Sequence, residues 1–210
     1  SEYGAFSDPS QIRELPSELE QQLRDLHGRM DQLKIQRQQE SHRLGSAHLK
    51  WVQKSHRQMI KMIEKQIDAV KQQIEGYIVS DDSMKERYQR LQTMVGVGPA
   101  LSMSLIACLP ELGRANKKEI AALVGVAPMT HDSGQLKGRS SIRYGRSHLR
   151  RILYMGALTA MRRDEKFKVF YERLVHAGKP KKVAIVAVMR KMIVVLNAMI
   201  EQGRDYQLSA

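Results

Sequence analysis

The sequence is poor in cysteine and in aromatic residues. Among 210 residues Cys108 is the one cysteine, and phenylalanine, tyrosine and tryptophan together make up 5%. A single cysteine excludes an internal disulfide framework and any zinc site built from several cysteines, and it fits a reducing cytoplasm. The seven histidines show no pairing with cysteines or carboxylates at the spacing of a metal site, so we expect no metal ligands in this chain.

The sequence also lacks a signal peptide and an uninterrupted membrane span. Its most apolar segment, 183–200, carries Arg190 and Lys191 near its middle. Two such charges cost roughly 5–7 kcal/mol at the centre of a bilayer. We therefore expect a buried core helix here and no membrane partner.

Acidic residues are scarce in one half of the chain only. The whole sequence has 35 Lys and Arg against 22 Asp and Glu, with a formal net charge of +13. Residues 114–191 hold 19 of the basic residues and five of the acidic ones, so the rest of the chain is close to neutral. A localised excess of this size favours a polyanionic partner, nucleic acid before membrane.

Two runs of apolar residues with steps of three and four, 19–33 and 60–77, are typical of coiled-coil seams. Gly45 breaks the pattern between them and is the expected point of reversal. We predict an antiparallel helical hairpin over 17–79, with a single long helix as the alternative. The seams serve either packing within the hairpin or the pairing of two hairpins into a dimer.

Residues 80–203 are expected to form a compact helical domain, so the predicted fold class is all-α. The stretch "LQTMVGVGPALSMSLIACLPEL" has a helix-hairpin-helix pattern, with Gly96, Val97 and Gly98 at the turn and Pro99 at a first helical position. Such a turn can present backbone N–H groups to a phosphate, or it can be a plain helical corner. Short extended pieces flank "APMTHDSG" at most. Residues 1–16 are predicted to be a linker, and 204–210 a tail.

A basic stretch, "HDSGQLKGRSSIRYGRSHLRR", follows at 131–151. To attack a phosphodiester, the hydroxyl of Ser133 would need a base to take its proton and positive charge to stabilise the phosphoryl oxygens. The stretch supplies the charge but no evident base, and most serines in such a position only solvate a turn. The basic side chains are candidate phosphate contacts or ordinary solvated residues: Lys137, Arg139, Arg143, Arg146, Arg150 and Arg151.

Residues 91–203 closely resemble the carboxy-terminal domain of bacterial transposases of the insertion sequence 110, 116 and 902 family. Relatives of that family include Piv-type pilin-gene invertases and bridge-RNA-guided recombinases. The resemblance rests on "GVAP", on "SG", on "GR" followed by "LRRILYM", and on "GKPKKVAIVAVMRK", in that order.

The resemblance implies specific roles. The serine of the "SG" motif, here Ser133, is the family's proposed nucleophile and would form a covalent phosphoserine link to a cut DNA end. The other serines of the stretch, Ser140, Ser141 and Ser147, fall outside that motif or at a helix cap. The hairpin would join subunits into a dimer or tetramer, and double-stranded DNA and a guide (bridge) RNA would be the partners, in the bacterial cytoplasm at the nucleoid.

The family also has an amino-terminal ribonuclease-H-like domain with four acidic residues that bind magnesium, and nothing here matches it. We therefore expect a missing amino-terminal domain that supplies the magnesium, in a longer protein or a degenerate copy of an element. By itself this chain would bind nucleic acid without turnover. The alternatives are a non-catalytic helix-hairpin-helix scaffold and a surface that chiefly holds guide RNA.

Overall fold

The computed structural model describes residues 17–129, 132–133, 136–137, 141–142 and 144–207. Within these residues the fold is all-α, as predicted, with four two-residue strands between the fifth and sixth helices. The elements are α1 Glu18–Ser46, α2 Lys50–Ser80, α3 Asp82–Gln92, α4 Pro99–Cys108, α5 Lys117–Val124, β1 Pro128–Met129, β2 Asp132–Ser133, β3 Leu136–Lys137, β4 Ser141–Ile142, α6 Ser147–Arg163, α7 Glu165–His176 and α8 Lys181–Gln202.

Helices α1 and α2 form the predicted antiparallel hairpin, which confirms that part of the fold prediction. A capping box at Ser17 and Glu20 starts α1 by satisfying two free backbone N–H groups. The chain reverses beyond Gly45, because Ala47 leaves the helical conformation while Gly45 stays within the last turn of α1. The expected reversal point was therefore wrong by two residues. The seam side chains are buried between the helices: Leu23, Met30, Leu33, Ile63, Ile67 and Ile74.

Helix α8 is the centre of the second half of the chain and packs against α3, α5, α6 and α7. It is long and apolar enough to cross a membrane, but half of its most apolar stretch is buried against these neighbours. Its buried Asn197 accepts a hydrogen bond from the Gly113 N–H and donates one to the Ala115 carbonyl, each at 2.8 Å. The side chain thereby satisfies two backbone groups of the α4–α5 connection, as expected of a core helix.

The segment after α8 packs on the core instead of forming the predicted tail. The Tyr206 N–H donates to Thr93 Oγ1 at 2.9 Å, and its hydroxyl donates to the buried carboxylate of Asp164. The Tyr206 ring also stacks on Phe167 at 6.5 Å between centroids. Residues 204–207 are thus part of the folded unit, while 1–16 and 208–210 lie outside the described residues.

A cluster of polar side chains joins the hairpin to the second half. His27 of α1 is 1% exposed, and its Nε2 lies 2.9 Å from Ser104 Oγ of α4. Asp31 Oδ2, one turn further along α1, lies 2.8 Å from His148 Nδ1 at the start of α6. Burial lowers the pKa of His27 to about 4, against the raising effect of nearby Asp31. His27 is therefore neutral at physiological pH.

The loop between α5 and α6 is closed at its base by two glycines. Gly125 ends α5 with a φ of 76°, and Gly145 precedes α6 with a φ of 68°. A Cβ on Gly145 would lie 2.4 Å from the Gly125 nitrogen, so the two backbones touch where no side chain fits. The Arg150 guanidinium donates to the carbonyls of Gly125 and Tyr144 across the same junction. We call residues 125 and 144–146 with Arg150 the neck of the loop.

We predict that Gly145→Ala lowers the free energy of unfolding by at least about 2 kcal/mol more than Gly178→Ala does. Gly178→Ala is the control, because both glycines have a positive φ but a Cβ on Gly178 meets nothing within 4 Å. The control variant therefore has the backbone strain without the steric clash. Urea denaturation of the two variants measures the difference. Equal losses would show that the close contact in the neck does not constrain the fold.

We also predict that the protein loses stability on acidification, because unfolding lets His27 bind a proton that the native state excludes. Its ordinary pKa of 6.5 falls to about 4 on folding, so the loss develops below 6.5. It should reach about 2 kcal/mol between about pH 7.5 and about pH 5. Urea denaturation in metal-free buffer measures it. His27→Gln should remove most of this dependence, whereas the same change at the exposed His48 should leave it in place.

Candidate nucleic-acid interface

Two nested strand pairs hold the loop that carries Ser133. In the outer pair, β1 and β4 run antiparallel with Pro128 opposite Ile142. In the inner pair, β2 and β3 place Ser133 opposite Leu136 and Asp132 opposite Lys137. The backbone of Ser133 therefore lies beyond the outer pair, away from the neck. The sequence allowed extended pieces at the flanks of "APMTHDSG", whereas β1 and β2 lie within it. Arg139 and Arg143 lie outside the described residues, and their phosphate contacts stay predictions.

Arg146 and Arg150, two of the predicted phosphate contacts, already have partners within the protein. The Arg146 guanidinium forms a bidentate pair with Glu111, with both N–O distances 2.8 Å. Its backbone N–H donates to the Leu123 carbonyl, and it takes the N-cap position of α6 that the sequence favoured for Ser147. Arg150 donates hydrogen bonds to the Gly125 and Tyr144 carbonyls of the neck. Both arginines thus position the loop, a role that sequence reasoning missed because Glu111 lies 35 residues from Arg146.

Arg151 lies on the solvent side of α6 and is exposed. Arg162, three helical turns further on, shares that side. Tyr154 and Met155 lie between them with exposed fractions of 37% and 62%. Cations next to an exposed aromatic ring are the combination that binds phosphates and stacked bases. We call these four residues the outer face of α6; sequence reasoning missed the aromatic ring among them.

The Gly-Val-Gly turn between α3 and α4 has a packing role as well as an exposed edge. A Cβ on Gly96, whose φ is 88°, would lie 2.3 Å from the Gly156 carbonyl oxygen of α6. Val97 is buried, and its N–H donates to the Met94 carbonyl at 3.0 Å. Gly98 is exposed at the N-cap of α4, without a capping side chain or an acid in the first turn. An anion could therefore approach the turn at Gly98, while Gly96 and Val97 fix its position.

A second basic edge lies at the turn between α7 and α8. Three exposed lysines flank the N-cap residue Pro180: Lys179, Lys181 and Lys182. The N-cap offers no side-chain hydrogen bond, and the first turn of α8 contains no acid. Positive charge of the lysines and of the helix dipole therefore coincide here.

The polar cluster of His27, Asp31 and His148 is also absent from the sequence prediction. Each residue offers one ligand atom, and these atoms lie within 4.8 Å of one another. The spacing of His27 and Asp31, one helical turn apart on α1, is a signal that the sequence contains, so the statement that no histidine pairs with a carboxylate at such spacing was wrong. The approach of His148 depends on tertiary packing and has no local signal.

Residues 88–172 match the family model described as "Transposase IS116/IS110/IS902 family". The segment begins in α3 and ends in α7. It thus contains the Gly-Val-Gly turn, the whole loop with Ser133, and the outer face of α6.

The relatives fall into two groups by their names. The pilin gene-inverting protein of Moraxella lacunata is 30% identical over 146 residues, which cover 60% of this chain and 45% of the relative. An uncharacterized 44.8 kDa protein of insertion element IS116 from Streptomyces clavuligerus is 31% identical over 122 residues, with 57% and 30% covered. An IS900 protein of Mycobacterium paratuberculosis is 29% identical over 137 residues.

The chain thus spans less than half the length of the curated relatives that it matches. The family match contains the motifs "GVAP", "SG" and "GR" followed by "LRRILYM", whereas "GKPKKVAIVAVMRK" lies beyond its end at residue 172. Through residues 88–172, this chain is similar to the IS116/IS110/IS902 transposase family.

Proposed function

We propose that this chain is the carboxy-terminal part of a DNA transposase or site-specific recombinase and that Ser133 is its nucleophile. The observation that supports it best is the placement of Ser133 in a strand-paired loop with a rigid neck, within the segment that matches the family. A nucleophile has to be held in position to gain from proximity. The names of the relatives, a gene-inverting protein and insertion-element proteins, support rearrangement of DNA as the outcome.

The proposed chemistry exchanges one phosphate ester for another. The Ser133 oxygen attacks the phosphorus atom and gives up its proton to a base, while the bond from phosphorus to the departing DNA oxygen breaks and that oxygen takes up a proton. One ester bond forms as another breaks, so strand exchange needs no ATP. The base and the magnesium ion are expected from the family's acidic domain, to which this sequence shows no match, so the chain alone should bind nucleic acid without turnover.

Lys137, Arg139 and Arg143 are proposed to stabilise the negative charge that develops on the phosphoryl oxygens. The outer face of α6, Gly98 at the start of α4, and the lysines next to Pro180 are proposed to contact the DNA backbone. The two groups have different roles. Contacts to the DNA backbone fix the position of the DNA, whereas the loop residues act at the reacting phosphate.

The hairpin is proposed to join subunits into a dimer or tetramer. Helix α2 keeps a stripe of exposed apolar side chains after α1 has packed against it, with Trp51, Met59 and Met62 exposed by 73%, 46% and 57%. These residues recur at helical spacing, so a second hairpin could cover them together. A guide RNA is the further proposed partner, and the bacterial cytoplasm at the nucleoid is the proposed location.

A non-catalytic nucleic-acid scaffold with a helix-hairpin-helix turn is the alternative function. It is favoured by the outer face of α6 and by Gly98, since these groups can bind a phosphate backbone without any contribution from Ser133. The two functions differ in what they require of the serine. A scaffold tolerates its loss in every assay, whereas a recombinase keeps its DNA affinity and loses strand transfer.

We predict that a complete transposase containing this chain forms a covalent adduct with end-labelled element DNA in the presence of magnesium, and that Ser133→Ala abolishes it. The reason is that alanine has no oxygen to bond to phosphorus. A denaturing gel detects the adduct, and Ser147→Ala at the start of α6 is the matched control that should keep it. An adduct that survives Ser133→Ala would overturn the nucleophile assignment.

We predict that Arg151→Ala and Arg162→Ala each lower the slope of log affinity against log salt by about 0.9, because each removes one phosphate contact. Lys65→Ala on the exposed side of α2 removes the same charge from the hairpin and should leave the slope unchanged. Fluorescence anisotropy with duplex DNA across a salt series measures all three. Equal slope changes would show that the outer face of α6 has no special part in binding.

A further inference from the structure

We propose that His27, Asp31 and His148 form a binding site for a divalent transition-metal ion, with Zn²⁺ as the type. The site lies where the hairpin meets α6, apart from the Ser133 loop and from the magnesium expected in another domain. Two imidazoles and a carboxylate are a ligand set that zinc accepts in proteins. Within the part of the chain that the structure describes, no other group of three such residues comes together in this way.

Hydrogen bonding fixes which nitrogen of His27 faces the cluster. Ser104 Oγ donates its one hydrogen to the Ala100 carbonyl at 2.8 Å. It can therefore only accept from His27 Nε2, which lies 2.9 Å away and must carry the ring proton. The Nδ1 atom of the ring then has no hydrogen and directs a lone pair into the cluster.

That lone pair faces a carboxylate oxygen, which is an arrangement that calls for a cation. The distance from His27 Nδ1 to Asp31 Oδ2 is 3.8 Å, too long for a hydrogen bond. Asp31 Oδ2 also lies 2.8 Å from His148 Nδ1. Two electron-rich atoms and a second imidazole nitrogen thus converge on one point at a partly buried junction.

The distances suit a small metal ion. Tetrahedral zinc with bonds of 2.0–2.1 Å separates its nitrogen and oxygen ligands by about 3.3 Å. The two measured separations, 2.8 Å and 3.8 Å, lie on either side of that value. Small rotations of the side chains would therefore equalise them. The other oxygen of Asp31 is directed to Lys34, with Oδ1 and Nζ 3.9 Å apart, so Oδ2 is the one that serves the cluster.

The surroundings of the cluster also match a metal site. The hydrogen bond from His27 Nε2 to Ser104 is the outer contact by which proteins orient a metal-ligating histidine. Among the described residues Nε2 of His148 has no hydrogen-bond partner, and Nδ1 is the nitrogen of this ring that faces Asp31. An ion here would link α1 to the first turn of α6, next to the neck, and so connect the position of the hairpin to that of the loop.

The test uses the purified 210-residue chain, stripped with a chelator and titrated with Zn²⁺ by calorimetry and with Co²⁺ by visible absorption. The expected result is one ion per chain and a rise in melting temperature with Zn²⁺. His148→Gln and Asp31→Asn should each weaken binding by about tenfold or more, and circular dichroism checks that both variants fold. Both positions are partly exposed, so neither change disturbs the core.

The matched control is His56→Gln. His56 Nδ1 lies 2.7 Å from Glu40 Oε2, as close as His148 is to Asp31, but no second histidine joins that pair among the described residues. The control should bind Zn²⁺ as the unaltered chain does. Failure of the unaltered chain to bind stoichiometric Zn²⁺ would overturn the proposal and leave the cluster as a hydrogen-bonded joint. Equal weakening by His56→Gln and His148→Gln would also overturn it.

Discussion

The contact of Gly125 with Gly145 is the constraint on which the rest of the site depends. Two backbone segments approach so closely that neither position has room for a Cβ, and this brings the end of α5 to the start of α6. The seventeen residues from Val126 to Ile142, with the strands among them, can then leave the neck and return to it at one point. Without that closure, Ser133 would lie at the end of an untethered loop and would lose the advantage of a fixed position.

Several arginines in the basic part of the chain, 114–191, therefore have a structural role. Arg146 pairs with Glu111, and Arg150 donates to two carbonyls of the neck, so net charge alone overstates how many cations face a ligand. Arg151 and Arg162 are exposed and remain available to a phosphate backbone. Some arginines thus stabilise the loop through contacts within the protein, and others are exposed to a nucleic-acid ligand. Tertiary contacts determine which of the two roles each arginine has.

The helical architecture could be predicted from periodicity, because apolar side chains at steps of three and four must be buried on one side of a helix. That reasoning found the hairpin and the core helix α8. It placed the reversal two residues early, at Gly45, and missed the packing of Tyr206, which depends on Thr93, a residue distant in sequence. The motif around Ser133 could be identified from sequence, but the paired strands, the salt bridge to Glu111 and the approach of His148 to Asp31 have no local signal.

The most direct test of the central claim is identification of the residue that becomes attached to DNA. A complete transposase containing this chain would be incubated with element DNA and magnesium, digested with protease and nuclease, and analysed by tandem mass spectrometry. We expect a nucleotide attached through phosphate to the peptide that contains Ser133. Attachment at any other residue, or strand exchange without an attached peptide, would contradict the assignment of Ser133 as the nucleophile.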